Sequence, residues 1–132
     1  MILRTHIIIF VADQRASARF YSAVLGSEPT LDVPGMTEFT FPGGAILGLM
    51  PEGGIRRLLG EVVPGPSPAE GVPKAELYLV VENPEQYHAR ALAAGARVLS
   101  EFAPRDWGHS AAYSMDVDGH VLAFASEERE HA

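Results

Sequence analysis

The feature of this sequence that most constrains its fold is an internal repeat with an offset of about seventy residues. The segment HIIIFVAD, which starts at His6, aligns with ELYLVVEN, which starts at Glu76. The segment GGAILGLMPE from Gly43 aligns with DGHVLAFASE from Asp118 at an offset of seventy-five residues. Self-similarity at a fixed period is typical of a duplicated supersecondary unit. The longer second offset indicates five extra residues in the second copy, near residues 103–107.

The first copy has the pattern β-α-β-β-β. Leu3–Val11 is a β-branched and apolar run, which predicts a central strand buried on both faces. Asp13 predicts the N-cap of the following helix, and Gly26 predicts its end. Turn residues and short apolar runs then predict three further strands, at Glu28–Val33, Met36–Phe41 and Ala45–Met50.

The second copy repeats this order. Ala75–Val81 predicts a strand, and Asn83 followed by Pro84 predicts the start of a helix. Gly95 predicts the end of that helix. Three more strands are expected, at Arg97–Phe102, His109–Met115 and His120–Ala125.

The two copies are joined by a segment of linker composition. Pro51–Pro73 contains five prolines and five glycines. Inside it, Ile55, Leu58 and Leu59 predict one short amphipathic turn. We therefore expect a single α+β domain over residues 1–132, with module one at 3–50, the linker at 51–73 and module two at 74–126.

Composition and charge exclude several classes of function. The chain has no cysteine, which excludes a disulfide scaffold, a zinc ribbon and a thiol nucleophile. Ten basic residues stand against 17 acidic ones, with no basic stripe, so we expect no nucleic-acid partner. The longest apolar run, Ile7–Ala12, is too short to cross a bilayer, and the first residues lack the layout of a signal peptide. We expect a cytoplasmic protein that does not bind membranes.

Two segments carry a resemblance to a known family. THIIIFVADQRASARFYSAVLG resembles the opening strand and helix of the vicinal oxygen chelate superfamily, and DVDGHVLAF resembles its closing strand. Trp107 and Gly108, upstream of that strand, fit the same pattern. This superfamily contains glyoxalase I, extradiol dioxygenases, fosfomycin-resistance enzymes and bleomycin-resistance proteins. The resemblance implies two tandem βαβββ modules whose sheets form a cup, commonly in a homodimer.

The resemblance also points to four positions that carry metal ligands in metal-dependent members. In this chain they are His6, Gly48, Glu76 and Ala123. Gly48 and Ala123 have no side-chain donor, whereas a catalytic divalent metal normally has three or more protein ligands. We therefore expect no cofactor, with a divalent metal held by His6 and Glu76 as the alternative.

Strand alternation predicts which residues line the cup. These residues could form a small-molecule site, which is typically concave and mostly apolar, or they could be part of the packed core. The strand register, which decides whether Glu38, His109 and Tyr113 face the cup, is not readable from one sequence. Trp107 is a candidate to stack on a ligand. The candidate ligand-binding residues are His6, Ile8, Phe10, Met50, Glu76, Tyr78, Trp107 and Tyr113.

The sequence context of three histidines predicts their surroundings. His6 and Glu76 would face each other across the modules and satisfy one another, or else contact a ligand together. His120 alternates with apolar residues of its strand and is predicted to be structural. His88 is predicted to be solvated on its helix.

These features favour a protein that binds a small organic molecule in the cup without a catalytic metal, as bleomycin-resistance proteins sequester their drug. One alternative is a divalent-metal-dependent lyase, isomerase or dioxygenase of the glyoxalase type. Another is a non-catalytic accessory protein whose cup is vestigial. We also expect a homodimer, with the linker near its interface.

Overall fold

A computed structural model describes residues 1–62, 73 and 75–127 of the chain. The chain divides into two compact units, Met1–Pro68 and Ala69–Ala132, which we call unit 1 and unit 2. Each contains one βαβββ module, as the repeat predicts. The elements of unit 1 are β1 (His6–Val11), α1 (Gln14–Leu25), β2 (Leu31–Val33), β3 (Met36–Thr40), β4 (Ile46–Pro51), α2 (Glu52–Leu59) and a 3₁₀ turn (Gly60–Val62). Those of unit 2 are β5 (Glu76–Val80), α3 (Pro84–Ala93), β6 (Arg97–Pro104), β7 (His109–Met115) and β8 (Val121–Glu127).

The sheet of unit 1 has the strand order β1-β4-β3-β2, with β1 parallel to β4 and the other pairs antiparallel. The Asp13 carboxylate caps α1 by accepting from the Ala16 N–H at 3.0 Å, and Gly26 ends the helix with a φ of 69°. Helix α1 packs on β3 and β4. Its buried stripe and the alternate residues of the strands form the core, which includes Val11, Phe20, Tyr21, Val24, Phe39, Leu47 and Leu49.

Unit 2 repeats this topology with the strand order β5-β8-β7-β6. Strand β5 is parallel to β8, as β1 is to β4. Helix α3 packs on β6, β7 and β8. The register between β6 and β7 shifts twice between Val98 and Ala103, so the extra length of the second copy is partly taken up by bulges.

The prediction that the first strand is central and buried on both faces is wrong. Strand β1 begins at His6, three residues later than expected, and it is an edge strand of its own sheet. Its helix-facing residues Ile9 and Val11 are buried, whereas Phe10 remains 43% exposed. A single helix covers one face of this sheet, so apolar residues on the other face stay accessible within the unit.

The prediction that His88 is solvated is also wrong, because the residue is only 5% exposed. His88 shares the buried face of α3 with Pro84 and Ala91, which lie four residues before it and three after it. Its Nε2 atom lies 3.8 Å from Glu101. His120, by contrast, is structural as predicted, since its Nδ1 lies 2.9 Å from the buried Asp116 carboxylate.

The amphipathic turn predicted in the linker is the helix α2. Its apolar side is unburied in this unit, and Leu58 is 70% exposed. The predicted linker residues 63–72 lie outside the described part of the chain. None of the described helices has the length and apolar character needed to cross a membrane.

Candidate functional site

The face of the unit 1 sheet opposite α1, which we call open face 1, carries several of the predicted ligand-binding residues. Ile8, Gly48 and Glu38 form one row across three neighbouring strands. Alternation places the rest of the predicted set on the same face. These residues are His6 and Phe10 of β1 and Met50 of β4.

His6 and Glu38 meet on open face 1. The His6 Nδ1 atom lies 3.3 Å from Oε2 of Glu38, and the Arg4 Nε–H group donates to His6 Nε2 at 3.2 Å. Because a guanidinium has donors only, Nε2 must accept, and the neutral imidazole then carries its proton on Nδ1. The Glu38 carboxylate is the charged group that lies beside this nitrogen. This contact shows that Glu38 lies on the same face of the sheet as His6.

Gly48 lies beside this pair, and a side chain at this position would press on its neighbours. A Cβ atom at Gly48 would be 3.0 Å from Cγ1 of Ile8 and 3.1 Å from Sδ of Met36. Distances of this size require the neighbouring side chains to move. A metal-ligating side chain at this position would therefore displace the side chains of Ile8 and Met36.

The corresponding face of the unit 2 sheet, open face 2, has a different chemistry. Tyr78, Ala123 and Tyr113 form one row across β5, β8 and β7. Ala123 lies between the two tyrosines and is 0% exposed. Because His109 and Tyr113 are four residues apart on β7, alternation puts His109 on this face as well. Tyr78, Trp107, His109 and Tyr113 are called the aromatic cluster below.

A chain of hydrogen bonds connects three members of the aromatic cluster. The Trp107 Nε1–H group donates to the Tyr78 hydroxyl at 2.9 Å, and that hydroxyl lies 2.7 Å from His109 Nδ1. With His109 neutral and its proton on Nε2, the Tyr78 O–H donates to Nδ1. The Tyr78 and His109 rings also stack, with centroids 5.8 Å apart. The hydrogen bond to Tyr78 orients the indole of Trp107, although the residue is 57% exposed.

Tyr113, the fourth member, lies beside a fixed cation. The Arg105 guanidinium is 5.0 Å from the centre of the Tyr113 ring, and it donates to the Ala111 carbonyl at 2.7 Å and to the Ser100 hydroxyl at 2.9 Å. Burial raises the pKa of the Tyr113 phenol above its ordinary value, with smaller contributions from Glu76 and Tyr78, while Arg105 opposes them. Tyr113 is therefore a neutral hydrogen-bonding group near pH 7.

Among the predicted site residues, the structure thus brings together Tyr78, Trp107 and Tyr113, and it adds His109. The sequence alone did not decide whether His109 and Glu38 face the cup, because the direction of their side chains depends on the strand register. The predicted pairing of His6 with Glu76, which joins the two modules, stays a prediction.

Comparison with known proteins decides the family. The sequence model of the glyoxalase-like domain matches residues 6–125. This chain belongs to the glyoxalase-like domain family. The match bears out the resemblance to the vicinal oxygen chelate superfamily. No curated protein matches the chain.

Solved structures support the same fold for the glyoxalase-like protein. A glyoxalase/bleomycin resistance protein/dioxygenase from Nocardioides is 22% identical with a TM-score of 0.77, over 99% of this chain and 87% of that one. A glyoxalase/bleomycin resistance protein/dioxygenase family enzyme from Burkholderia phytofirmans PsJN is 19% identical with a TM-score of 0.78, over 93% of this chain and 97% of that one. TioX from Micromonospora sp. ML1 is 18% identical with a TM-score of 0.64, over 94% and 98%.

The four family positions do not fit a divalent metal in this glyoxalase-like protein. Gly48 and Ala123 offer no side-chain donor atom, and a Cβ atom at Gly48 would lie within 3.1 Å of side-chain atoms of Ile8 and Met36. Across residues 1–62, 73 and 75–127, no three His, Asp or Glu side chains are grouped so that they could hold a metal ion. His6, which keeps a ligand-type side chain, has its two ring nitrogens engaged by Arg4 and Glu38.

Proposed function

We propose that this glyoxalase-like protein binds a small organic molecule on the open faces of its sheets, without a catalytic divalent metal. The observation that carries the proposal is the aromatic cluster of open face 2. It stands around Ala123, the family position that has lost its donor. Rings with polar edges on a fixed scaffold are typical of sites that recognise small organic molecules.

The proposed role of Trp107 is to stack on the ligand. A large exposed aromatic side chain normally loses rotamer freedom when it binds, and this loss weakens affinity. The hydrogen bond from Trp107 to Tyr78 reduces that loss, because the indole is already oriented. Tyr113 adds a neutral phenol on the same face, and Tyr78 and His109 add polar atoms that can hydrogen-bond a ligand.

The proposed contribution of open face 1 is mainly apolar. Ile8 and Phe10 are exposed within their unit, and Met50 is half-buried beside them. These side chains would contact the body of the ligand, while His6 would contact a polar group. Glu76, at the start of β5, completes the proposed set of ligand-binding residues.

We also propose a homodimer, because exposed apolar residues on the described part of the chain, including Leu58 and Leu59 of α2, favour burial against a partner. Light scattering at micromolar concentration is expected to give twice the 14.2 kDa mass of the chain. A particle of the monomer mass would contradict this part of the proposal.

The experiment for ligand binding uses the single tryptophan of the chain, Trp107, as the reporter. A library of small aromatic and heteroaromatic molecules is screened by thermal unfolding, and each molecule that raises the Tm is titrated while Trp107 fluorescence is followed. A ligand at 100 times its Kd stabilises the folded state by about 2.7 kcal/mol. We expect compounds that raise the Tm to change Trp107 fluorescence with the same Kd.

Two variants sharpen this experiment. Tyr78→Phe removes the hydroxyl that holds Trp107, and we expect it to weaken ligand binding about fivefold, the effect of one hydrogen bond of ~1 kcal/mol. Tyr87→Phe is the matched control, because Tyr87 lies on α3 and packs against Phe124 on the helix side of the sheet. A library without ligands, or ligands insensitive to Tyr78→Phe and silent in Trp107 fluorescence, would refute the proposed site.

A further inference from the structure

The hydrogen bonds of the aromatic cluster depend on the single proton of the Tyr78 hydroxyl. That hydroxyl donates to His109 Nδ1 across 2.7 Å, and its oxygen accepts the Trp107 Nε1–H group at 2.9 Å. An indole nitrogen is a donor only, so the Tyr78 oxygen must present a lone pair to Trp107. Trp107 is therefore bound to Tyr78 while the hydroxyl proton is directed at His109.

Protonation of His109 reverses one bond of this chain. An imidazolium carries protons on both ring nitrogens, so Nδ1 becomes a donor and the Tyr78 oxygen becomes its acceptor. Conjugation keeps the O–H bond of a phenol near the plane of its ring, where it has two positions, one on each side of the C–O bond. With a lone pair now facing His109, the Tyr78 proton takes the other position. It then opposes the Trp107 N–H group, and two donors cannot form a hydrogen bond.

The Trp107 side chain has little else to fix its orientation. It lies in the turn between β6 and β7 and is 57% exposed. Within residues 1–62, 73 and 75–127, Tyr78 is the hydrogen-bond partner of its indole. Tyr78 and His109, by contrast, lie on strands that are both paired with β8. Loss of the bond therefore frees the indole and leaves the sheet intact.

Other charged and titratable groups lie on the elements around His109. They are Glu76 and Tyr78 of β5, Arg97 and Glu101 of β6, Arg105 and Asp106 of the following turn, and Glu127 of β8. Glu127 is the exposed cross-strand neighbour of His109. The Arg105 guanidinium is held by backbone carbonyls of β6 and β7. In the described part of the chain, the His109 ring is hydrogen-bonded to Tyr78, so this hydroxyl is the group that responds directly to its charge.

We infer that His109 is a pH-sensitive switch, which fixes the Trp107 indole when it is neutral and releases the indole when it is protonated. Histidine is the side chain whose charge normally changes between about pH 5 and 8. The inference rests on the proposed function and deepens it by naming the regulation of open face 2. A ligand that stacks on Trp107 meets an oriented surface at neutral pH and a mobile one in acid.

The test follows nuclear magnetic resonance signals of the full chain, without any ligand, from about pH 8 to about pH 5. The single tryptophan gives one indole N–H resonance, and His109→Phe identifies the His109 ring resonances by their loss. We expect an unprotonated Nδ1 on His109 at the alkaline end. We expect the indole resonance to shift upfield on acidification, along the same curve as the His109 ring.

Three variants assign the shift to the hydroxyl of Tyr78. Tyr78→Phe keeps the ring beside His109, and its indole resonance is expected to lack the step. His109→Phe keeps an aromatic ring that cannot titrate, and it is expected to abolish the step while the indole stays bound. Tyr87→Phe, on the helix side of the sheet, is the matched control and is expected to keep the step. The amide spectrum of each variant reports whether it is folded.

Three results would overturn the inference. They are a protonated Nδ1 on His109 at about pH 8, an indole resonance that does not follow the His109 ring, and a step that survives in Tyr78→Phe. The first two are measured on the parent protein, so they do not depend on the folding of a variant. Because no ligand takes part, a failure of the switch is distinguishable from a failure of the proposed ligand site.

Discussion

Open face 1 and open face 2 lie on sheets of the same topology, but they carry different chemistry. Face 1 has a His–Glu pair next to a glycine, beside the apolar side chains of Ile8 and Phe10. Face 2 has four aromatic side chains around an alanine: hydrogen bonds link three of them, and the fourth, Tyr113, has a cation–π contact with Arg105. The common backbone follows from the repeated pattern of strands and helix. The difference shows that side chains at equivalent positions have diverged while the positions themselves were kept.

The largest expected effects test whether each unit has its own core. Leu49 and Phe124 occupy equivalent positions of the repeat and are both fully buried. Phe124→Ala is expected to reduce the free energy of unfolding by about 3–5 kcal/mol and Leu49→Ala by about 2–5 kcal/mol, because each leaves a cavity. Denaturant unfolding measures both. A cost below 1 kcal/mol for either variant would mean that the residue is not part of a packed core.

A smaller effect is expected at Gly48, where a larger side chain would meet Ile8 and Met36. Gly48→Val would force its branched side chain against Ile8 and Met36, and we expect a loss of about 1–3 kcal/mol in the free energy of unfolding. Ala45→Val, at an exposed position just before β4, is the control and is expected to stay within about 0.5 kcal/mol of the parent protein. Equal stability of the two variants would show that the space at Gly48 is open.

The helix N-termini give a smaller contrast between the units. Asp13 accepts a hydrogen bond from the first turn of α1, whereas the Asn83 side chain makes no such bond to α3. Asp13→Ala is expected to cost about 1 kcal/mol, and Asn83→Ala distinctly less. Denaturant unfolding of the two variants under the same conditions measures the difference. Equal costs would contradict the geometry of one cap.

The smallest effect concerns how the free energy of unfolding depends on pH above pH 10. Burial raises the pKa of Tyr113 in the folded state above the value of 10.0 for an unperturbed phenol. A group whose pKa is raised on folding stabilises the protein below the unfolded pKa, and this contribution is lost as pH rises through the folded pKa. The free energy of unfolding is thus expected to fall above pH 10, and less steeply in Tyr113→Phe. Identical alkaline slopes would contradict the assigned environment of Tyr113.

The fold was predictable from the sequence because its evidence is local and occurs twice. Asp13 and Gly26 mark the limits of α1, and His109–Met115 is a strand with the expected bounds. The burial of β1 was not predictable from its apolar run, because whether a strand is central or at an edge depends on pairing partners far along the chain. His88 was misassigned because Tyr87 and Ala91 suggested a helix face that excludes it, whereas the helix buries Pro84, His88 and Ala91.

The candidate site was predictable only as a set of positions. Alternation from the family positions correctly selected Tyr78 and the apolar residues of β1 for the open faces. The contacts between His6 and Glu38 and between Tyr78 and His109 depend on the register of β3 and β7, which a single sequence does not contain. Trp107 lies in a turn, where no periodicity predicts the hydrogen bond to Tyr78.

We propose that side chains of the protein bind the ligand directly, without a divalent metal. The most direct measurement is the Kd of a ligand from the Trp107 screen, determined for protein as purified and for the same protein dialysed against a chelator. We predict the same Kd within twofold for the two preparations, with the loss of affinity in Tyr78→Phe present in both. A Kd that rises more than tenfold after chelation, and returns when a stoichiometric divalent metal is added, would contradict the claim.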